Sequence, residues 1–132
     1  MTEQFKALGK KVRKPSKKSL ETFAKPADVI RVTMESEEVT SLCPVTGQPD
    51  WDKVSIHYSP NKLCLESKSL KLYLWSFRQK GTFCENLANS ILGDLLDVLD
   101  PLDCTVVVEQ KPRGGVKIVA TAHYWEGDRD AR

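Results

Sequence analysis

The sequence predicts one α+β domain, with an antiparallel four-stranded sheet and two helices in the order ββααββ. Two observations predict it. Two strand-like segments precede the middle of the chain and two follow it, and the middle itself carries apolar residues at helical spacing. Two hairpins with one helical layer between them form an antiparallel sheet covered on one face.

The first strand pair is predicted from β-branched residues and from alternation. Val29–Glu35 is β-branched and bounded by polar residues. Residues 54–58 alternate apolar and polar side chains, and Pro60 follows them. Both segments are therefore expected to be strands, with a loop over Ser41–Trp51 between them.

The middle of the chain predicts two helices. Ser67–Phe77 fits a helix that begins with Ser67 as its N-cap, although its alternating leucines also fit a strand. Apolar residues then recur four apart from Phe83 to Leu99, and Asp100 precedes a proline that ends the pattern. The spacing of Thr82 and Glu85 is that of a capping box.

The second strand pair is Cys104–Gln110, which is rich in Val, and the alternating Val116–Tyr124. Lys111–Gly115 between them is expected to be a hairpin loop whose glycines can adopt positive φ. So small a sheet leaves two bare edges and one bare face. We therefore expect copies to associate edge to edge into a closed barrel.

The charge distribution divides the 132 residues into three parts. Residues 1–18 carry seven Lys or Arg against one Glu, so we expect residues 1–26 to form a basic, flexible N-terminal extension. Residues 27–125 are the predicted domain, and residues 126–132 a C-terminal tail. A basic arm can also bind nucleic acid, but no aromatic residues interleave the lysines of residues 1–18, which favours a solvated tail.

Composition also excludes several classes of protein. No apolar run approaches a membrane span, and Met1–Lys11 lacks the apolar stretch of a signal peptide, so we expect a cytoplasmic protein with four free thiols. The cysteines lie about 20 residues apart without a close ligand pair, so no metal is expected. No Gly-x-Gly-x-x-Gly motif indicates a Rossmann site.

The loop Ser41–Trp51 contains the main candidates for chemistry, Cys43 and Asp50. Two prolines and a glycine restrict this loop, and a Cys and an Asp brought together suit nucleophilic addition. A thiol near pKa 8.5 needs activation at pH 7. Burial of Asp50, with Trp51 as an apolar wall, would let the carboxyl exchange protons with the thiol. A buried cysteine beside a turn-capping aspartate is the competing interpretation.

Two further candidates lie around the helices. Lys68 and Lys71 share a face near a helix N-terminus, where cations beside free N–H groups can bind phosphate, although most such lysines are merely solvated. Glu85 fits either the capping box or a carboxylate that binds the paired N–H donors of a guanine-like ring. Two cysteines and both histidines are expected to be structural: Cys64, Cys104, His57 and His123.

Together, the motifs over Ser41–Trp51, Glu66–Tyr73 and Gly81–Asn89 resemble the unimodular 7-cyano-7-deazaguanine reductases of queuosine biosynthesis. The resemblance covers roughly residues 25–125. It implies the tunnelling fold and a homo-oligomer, pentamer or decamer, with sites at subunit interfaces. It also implies reduction of the nitrile of 7-cyano-7-deazaguanine (preQ0) by two NADPH, without nucleic acid as a partner.

The resemblance also implies roles for individual residues. Cys43 matches the nucleophile that forms a thioimide, and Asp50 the proton donor and acceptor. The other matches are substrate contacts at Leu65, Glu66, Ser67, Cys84 and Glu85, and NADPH contacts at Lys68, Ser69 and Lys71. The family commonly has His where this chain has Cys84, and a thiol is a weaker hydrogen-bond donor than imidazole.

Three other functions remain as alternatives. A sibling amidinotransferase would form the same thioimide on preQ0 in tRNA, but such relatives are expected to lack the Lys-rich block. A non-catalytic purine- or RNA-binding protein would keep Glu85 and form no adduct. A zinc-dependent cyclohydrolase is disfavoured by the missing ligand pairs.

Overall fold

The computed structural model describes residues 16–127, which contain eight helices and strands and a 3-10 turn at Lys17–Ser19. In chain order they are β1 (Thr22–Ala24), β2 (Val32–Leu42), β3 (Pro49–Ser59), β4 (Leu63–Leu65), α1 (Ser67–Trp75), α2 (Cys84–Leu99), β5 (Asp103–Arg113) and β6 (Val116–Trp125). No helix within residues 16–127 combines the length and the apolar character needed to cross a membrane.

The main sheet has four strands in the order β2-β3-β5-β6, and each neighbouring pair is antiparallel. Helix α2 packs on β5 and β6. This confirms the predicted α+β class and the ββααββ order of the main elements. The short strands β1 and β4, which pair with each other in a separate sheet, were not predicted.

The core lies between the inner face of the sheet and the helices. Val54, Ile56 and Tyr58 alternate along β3 and are almost fully buried, as the sequence pattern predicts. Leu87, Ile91 and further apolar residues of α2 pack against this face because they recur at helical spacing. Among residues 16–127, helices cover only one face of the sheet.

The strands of the first hairpin extend further than predicted. Ser41 pairs with Asp50 and Leu42 with Pro49, so only residues 43–48 lie outside the strands. Pro49 is tolerated because it is the first residue of β3, where its missing N–H does little harm. Cross-strand pairing thus converts most of the predicted Ser41–Trp51 loop into strand, and β2 begins at Val32 rather than at residue 29.

The domain begins nearer the N-terminus than residue 26, where the sequence predicted its boundary with the extension. Strand β1 pairs with β4, Leu20 is buried, and Lys17 Nζ lies 3.1 Å from Asp97 Oδ2. The Glu21 N–H also donates to Ser69 Oγ at 2.9 Å. Apolar burial and strand pairing therefore attach residues 17–24 to the domain. The predictions for residues 1–15 and 128–132 lie outside the described residues.

Both helix N-termini differ from their predicted caps. The Glu66 carboxylate, rather than Ser67, caps α1 by accepting from the N–H groups of Lys68 and Ser69. The predicted capping box at α2 is wrong: Phe83 is the N-cap residue, and no side chain caps it. The Thr82 N–H donates to the carbonyl of Leu42, the last residue of β2. Thr82 therefore lies before the helix and does not cap it. The predicted end at Asp100 is confirmed.

Candidate active site

Cys43 opens a tight loop at the end of the first hairpin. Its N–H donates to the Gln48 carbonyl, and its carbonyl accepts from the Gly47 N–H, both at 2.8 Å. Gly47 has φ of 73°, a left-handed conformation that favours glycine. The loop therefore holds Cys43 in one position by main-chain hydrogen bonds rather than by side-chain packing.

The surroundings of Cys43 stabilise its thiolate. Hydrogen bonds from the Thr46 side chain, then from the N–H groups of Thr46 and Val45, lower the pKa of Cys43 to about 7, and Arg113 adds to the effect. The Thr46 N–H lies 3.5 Å from Sγ. A larger share of Cys43 is therefore thiolate at neutral pH than for an unperturbed thiol, and the nucleophilic form is more accessible.

Asp50 is brought to the same end of the sheet and is 3% exposed. Its Oδ1 forms an ion pair with Arg113 Nη1, and Arg113 Nη2 donates to Gln48 Oε1 at 3.1 Å. The predicted burial of Asp50 is confirmed. The predicted apolar wall is wrong, because alternation along β3 turns Trp51 to the outer face, where it is 55% exposed.

Arg113 was missed by the sequence analysis, which treated its segment only as a hairpin loop. Gly114 and Gly115 have φ of 59° and 81° and form the two-residue turn between β5 and β6. Strand β5 therefore continues to Arg113, which lies beside the start of β3. Extending the antiparallel pairing of Asp52 with Gln110 along the strands would have placed Arg113 near Asp50.

The start of α2 is attached to the Cys43 loop. Leu42 forms a parallel bridge with Gly81, and its carbonyl accepts from the Thr82 N–H at 3.0 Å. Cys84 follows and is buried, with Sγ 3.5 Å from the Val108 carbonyl. Burial, followed by the charge of Asp52, raises the pKa of Cys84 to about 11, so this thiol is not a competing nucleophile at neutral pH.

Glu85 lies in the first turn of α2 and is exposed. It lines an open groove of about 420 Å³ between α2 and β6. The other lining residues are Ala88, Asn89, Leu92, Ala120, Thr121, Ala122 and His123. A carboxylate at one end of a groove of this size suits a flat ring with paired N–H donors.

Some residues around α1 form hydrogen bonds within the fold, and others are accessible to a ligand. Leu65 is buried, and its N–H donates to Tyr58 Oη at 2.8 Å. Ser69 is also buried, and its hydroxyl donates to the Glu66 carbonyl at 2.8 Å. Ser67 and Lys71 are exposed, and Lys68 is partly exposed.

The phosphate site predicted at α1 needs one correction. The N–H groups of Lys68 and Ser69 already donate to the Glu66 carboxylate, at 2.8 and 2.9 Å. They are not the free donors that the sequence analysis expected at this helix N-terminus. Any phosphate binding at α1 therefore has to rely on the side chains of Lys68 and Lys71.

The cysteines and histidines predicted to be structural take part in the core or in cross-strand hydrogen bonds, and His123 also lines the groove beside Glu85. Cys64 and Cys104 are buried, and burial raises the pKa of Cys104 to about 12. His57 and His123 form hydrogen bonds across the sheet with threonine hydroxyls, at 3.1 and 2.7 Å. Residues 16–127 hold no group of three or more His, Cys, Asp or Glu side chains arranged to bind a metal ion.

The influence of Arg113 on Cys43 predicts a change in thiol reactivity. In Arg113→Gln the thiolate loses a cationic hydrogen-bond partner, so the pKa of Cys43 should rise above about 7. The measurement is the rate of iodoacetamide alkylation between pH 5 and 9, with the modified residue identified by mass. Lys117→Gln, on the same hairpin but paired with Glu109, is the control and should leave the midpoint unchanged. If the pH midpoint of Cys43 alkylation is unchanged in Arg113→Gln, Arg113 does not stabilise the Cys43 thiolate.

Comparison with known proteins identifies relatives of this chain. A family profile described as "QueF-like protein" matches residues 49–129. An "NADPH-dependent 7-cyano-7-deazaguanine reductase" of Syntrophus aciditrophicus (strain SB) is 49% identical over 113 residues, which cover 84% of this chain and 80% of the relative. A reductase of the same name from Anaeromyxobacter sp. (strain K) is 45% identical, covering 83% of this chain and 91% of the relative.

The solved structures include a relative in fold. The "archaeosine synthase QueF-Like in the apo form" aligns with a TM-score of 0.65 and 24% identity, over 75% of this chain and 95% of that one. At this identity the comparison shows the fold alone, and it confirms the predicted tunnelling fold. With the profile matching more than half of the chain and reductases 45–49% identical over most of it, the chain belongs to the QueF-like family, that of the 7-cyano-7-deazaguanine reductases.

Proposed function

We propose that this chain reduces the nitrile of preQ0 to the aminomethyl group of 7-aminomethyl-7-deazaguanine, with NADPH, in queuosine biosynthesis. The observation that carries the proposal is Cys43, a thiol with its pKa lowered to about 7, held in a rigid loop of a chain whose relatives are reductases of this substrate. Asp50, buried at the same end of the sheet, supplies the acid-base group.

The first step is addition of the Cys43 thiolate to the nitrile carbon. A carbon–sulfur bond forms, one π-electron pair moves to the nitrogen, and the nitrogen takes a proton from Asp50 to give a thioimide. The loop hydrogen bonds hold Sγ in place, and Arg113 holds the Asp50 carboxyl. When the thiol itself supplies the proton through Asp50, the step takes up no proton from solvent.

Conversion of a nitrile into an amine then needs four electrons and two further protons. Bound NADPH supplies each electron pair as a hydride, so two NADPH are used per nitrile. Cys43 must leave as thiolate between the two reductions, and its lowered pKa makes it a good leaving group. Asp50 then supplies one proton to the substrate nitrogen in the second reduction and one to the departed Cys43 thiolate, which accounts for both protons.

Lys68 and Lys71 are the proposed contacts for the NADPH phosphates. They lie three residues apart on α1, so their side chains share one face of the helix. Within residues 16–127, neither lysine forms an ion pair with a carboxylate. Ser69 has its hydroxyl turned inward, so its predicted role at the cofactor requires a contact other than that hydroxyl.

Charge neutralisation of these lysines gives a measurable prediction. In Lys68→Gln and Lys71→Gln, KM for NADPH should rise roughly 10-fold for each variant, since a lost charge-assisted phosphate contact costs about a factor of ten. Formation of the Cys43 adduct without NADPH should keep its rate. Lys53→Gln, on β3 and paired with Glu35, is the control. If the adduct rate falls and KM does not change, the lysines serve the substrate and not the cofactor.

The substrate ring is proposed to bind at Glu85, in the groove between α2 and β6. Leu65, Glu66 and Ser67 complete the substrate contacts by the family resemblance, together with Cys84. The groove is open because β6 is an edge strand of the main sheet. A homo-oligomer, pentamer or decamer, would place a second copy along this edge and close the site. A cytoplasmic location belongs to the same proposal, because Cys43 must stay reduced.

Nicotinamide oxidation tests this proposal against the alternatives. The protein is mixed with preQ0 and NADPH, and absorbance and product mass are followed. Oxidation of two NADPH per nitrile with formation of the amine is the expected result. The alternative result is an adduct that forms on Cys43 without NADPH oxidation. If ammonia releases this adduct when preQ0 is part of tRNA, the protein is an amidinotransferase. Binding of preQ0 without any adduct would leave a purine-binding protein.

A further inference from the structure

A second carboxyl group lies beside Asp50 and is not used in the mechanism above. Asp52 follows Asp50 by two residues on β3, so both side chains point toward the helices, and Asp52 is 2% exposed. The next residues on this face are Val54 and Ile56 of the apolar core. Asp52 therefore lies between the site and the dry interior.

Asp52 has little to stabilise a negative charge. The Ser41 hydroxyl donates to Oδ2 at 3.2 Å, while Oδ1 is buried and has no hydrogen-bond partner among the described residues. Asp50 has Arg113 as a counter-ion, but within residues 16–127 no cation forms an ion pair with Asp52. A buried carboxylate in this position is costly, so the protonated form of Asp52 is favoured.

The groups around Asp52 are otherwise neutral or negative. On α2, Cys84 is a neutral thiol, and the cross-strand partners of Asp52 are Val39 on β2 and Gln110 on β5. Burial raises the pKa of Asp52 to about 6, the hydrogen bond from Ser41 opposes the shift, and the charge of Asp50 adds to it. A carboxyl that titrates close to neutrality can both take up and release a proton under working conditions.

The geometry also connects the two carboxyls. Ser41, whose hydroxyl bonds Asp52, is the direct cross-strand partner of Asp50. Directly opposed residues of an antiparallel pair have Cβ atoms about 5 Å apart and on the same face. Ser41 therefore lies across from Asp50 on the inner face of the sheet, with its hydroxyl on Asp52.

We propose that Asp52 is a proton-relay residue that returns protons to Asp50 during the reduction steps. In each transfer an O–H bond of Asp52 breaks and an O–H bond forms on Asp50, with no change in oxidation state, and the buried Asp52 carboxylate regains its proton through Asp50 when product release opens the site to solvent. The proposal rests on the proposed function. Adduct formation needs no outside proton, whereas the later steps need two, one for the amine nitrogen and one to return Cys43 to the thiol, so Asp52 acts only after the adduct has formed.

The proton affinity of Asp52 can be tested without substrate. A carboxyl whose pKa is higher in the folded than in the unfolded chain destabilises the fold as pH rises from about 4 to 7. Thermal unfolding of the full-length wild type and of Asp52→Asn is measured across this range. The melting temperature of the wild type relative to Asp52→Asn should fall as pH rises. Parallel curves would overturn the proposal, since Asp52 would then hold no additional proton.

The role in reduction is tested by separating two rates in the same proteins. In Asp52→Asn, the Cys43 adduct should form at the wild-type rate within about twofold, while NADPH oxidation at pH 7 slows at least ~10-fold. In the wild type, the rate of NADPH oxidation should decline as pH rises above about 6, and in Asp52→Asn this decline should be absent. Equal slowing of both steps, or of neither, would show a structural role and overturn the proposal.

Two controls keep these outcomes distinct. Asp103→Asn makes the same change on the same sheet, away from the site, and should match the wild type in both experiments. Asp52→Ser replaces Asp52→Asn if the latter does not fold. A wild type that oxidises no NADPH with preQ0 would refute the proposed function, and the unfolding curves would still decide whether Asp52 holds the proton.

Discussion

Replacing Cys43 by Ala is expected to abolish both the covalent adduct with preQ0 and NADPH oxidation. The alanine has no nucleophile, and the three other cysteines, Cys64, Cys84 and Cys104, are buried; burial also raises the pKa of Cys84 to about 11 and that of Cys104 to about 12. Intact-mass measurement after mixing with preQ0, beside the oxidation assay, checks this. The fold should be unaffected, because main-chain hydrogen bonds hold the Cys43 loop.

The matched control for this prediction is Cys104→Ala. It also removes one thiol, but from the core, where the residue is fully buried. This variant should keep the adduct and turnover at a temperature well below its melting point. An adduct that persists on another cysteine in Cys43→Ala would refute the assignment of the nucleophile.

Replacing Asp50 by Asn is expected to slow thioimide formation by ~10²-fold or more. An amide cannot take the thiol proton or protonate the substrate nitrogen, and it also leaves the Arg113 guanidinium without its anionic partner. The measurement is the single-turnover rate of adduct formation, with Asp103→Asn as control. An unchanged rate in a folded variant would make Asp50 structural.

Asp50→Asn and Asp52→Asn should therefore differ in which step they slow. The first variant loses adduct formation and, with it, all later steps. The second keeps adduct formation and loses rate in reduction. This difference follows from their positions, since Asp50 pairs with Arg113 at the loop, whereas Asp52 lies deeper on β3. Similar behaviour of both variants would mean that they do not form a relay.

Local patterns in the sequence were sufficient for the main elements. Alternation over residues 54–58 predicted the buried face of β3, and helical spacing predicted α2 to within a residue at its start. The short strands β1 and β4 escaped prediction because three residues carry too little periodicity. Their pairing depends on contacts between segments about 40 residues apart.

The sequence by itself determined the chemistry available to this protein. The spacing of Cys43 and Asp50 around a restricted turn, and the blocks at Glu66–Tyr73 and Gly81–Asn89, indicated the family and the residues proposed to react. These signals are local, because each motif lies within one short segment of chain.

Only the tertiary structure decided how that chemistry is tuned. Arg113 reaches Asp50 across 63 positions of sequence, and Asp52 becomes an acid of raised pKa only when β2, β3 and α2 bury it. Glu66, matched to a substrate contact by resemblance, is found to cap α1. Electrostatic effects depend on distance and burial in space, so a pattern along one segment cannot specify them.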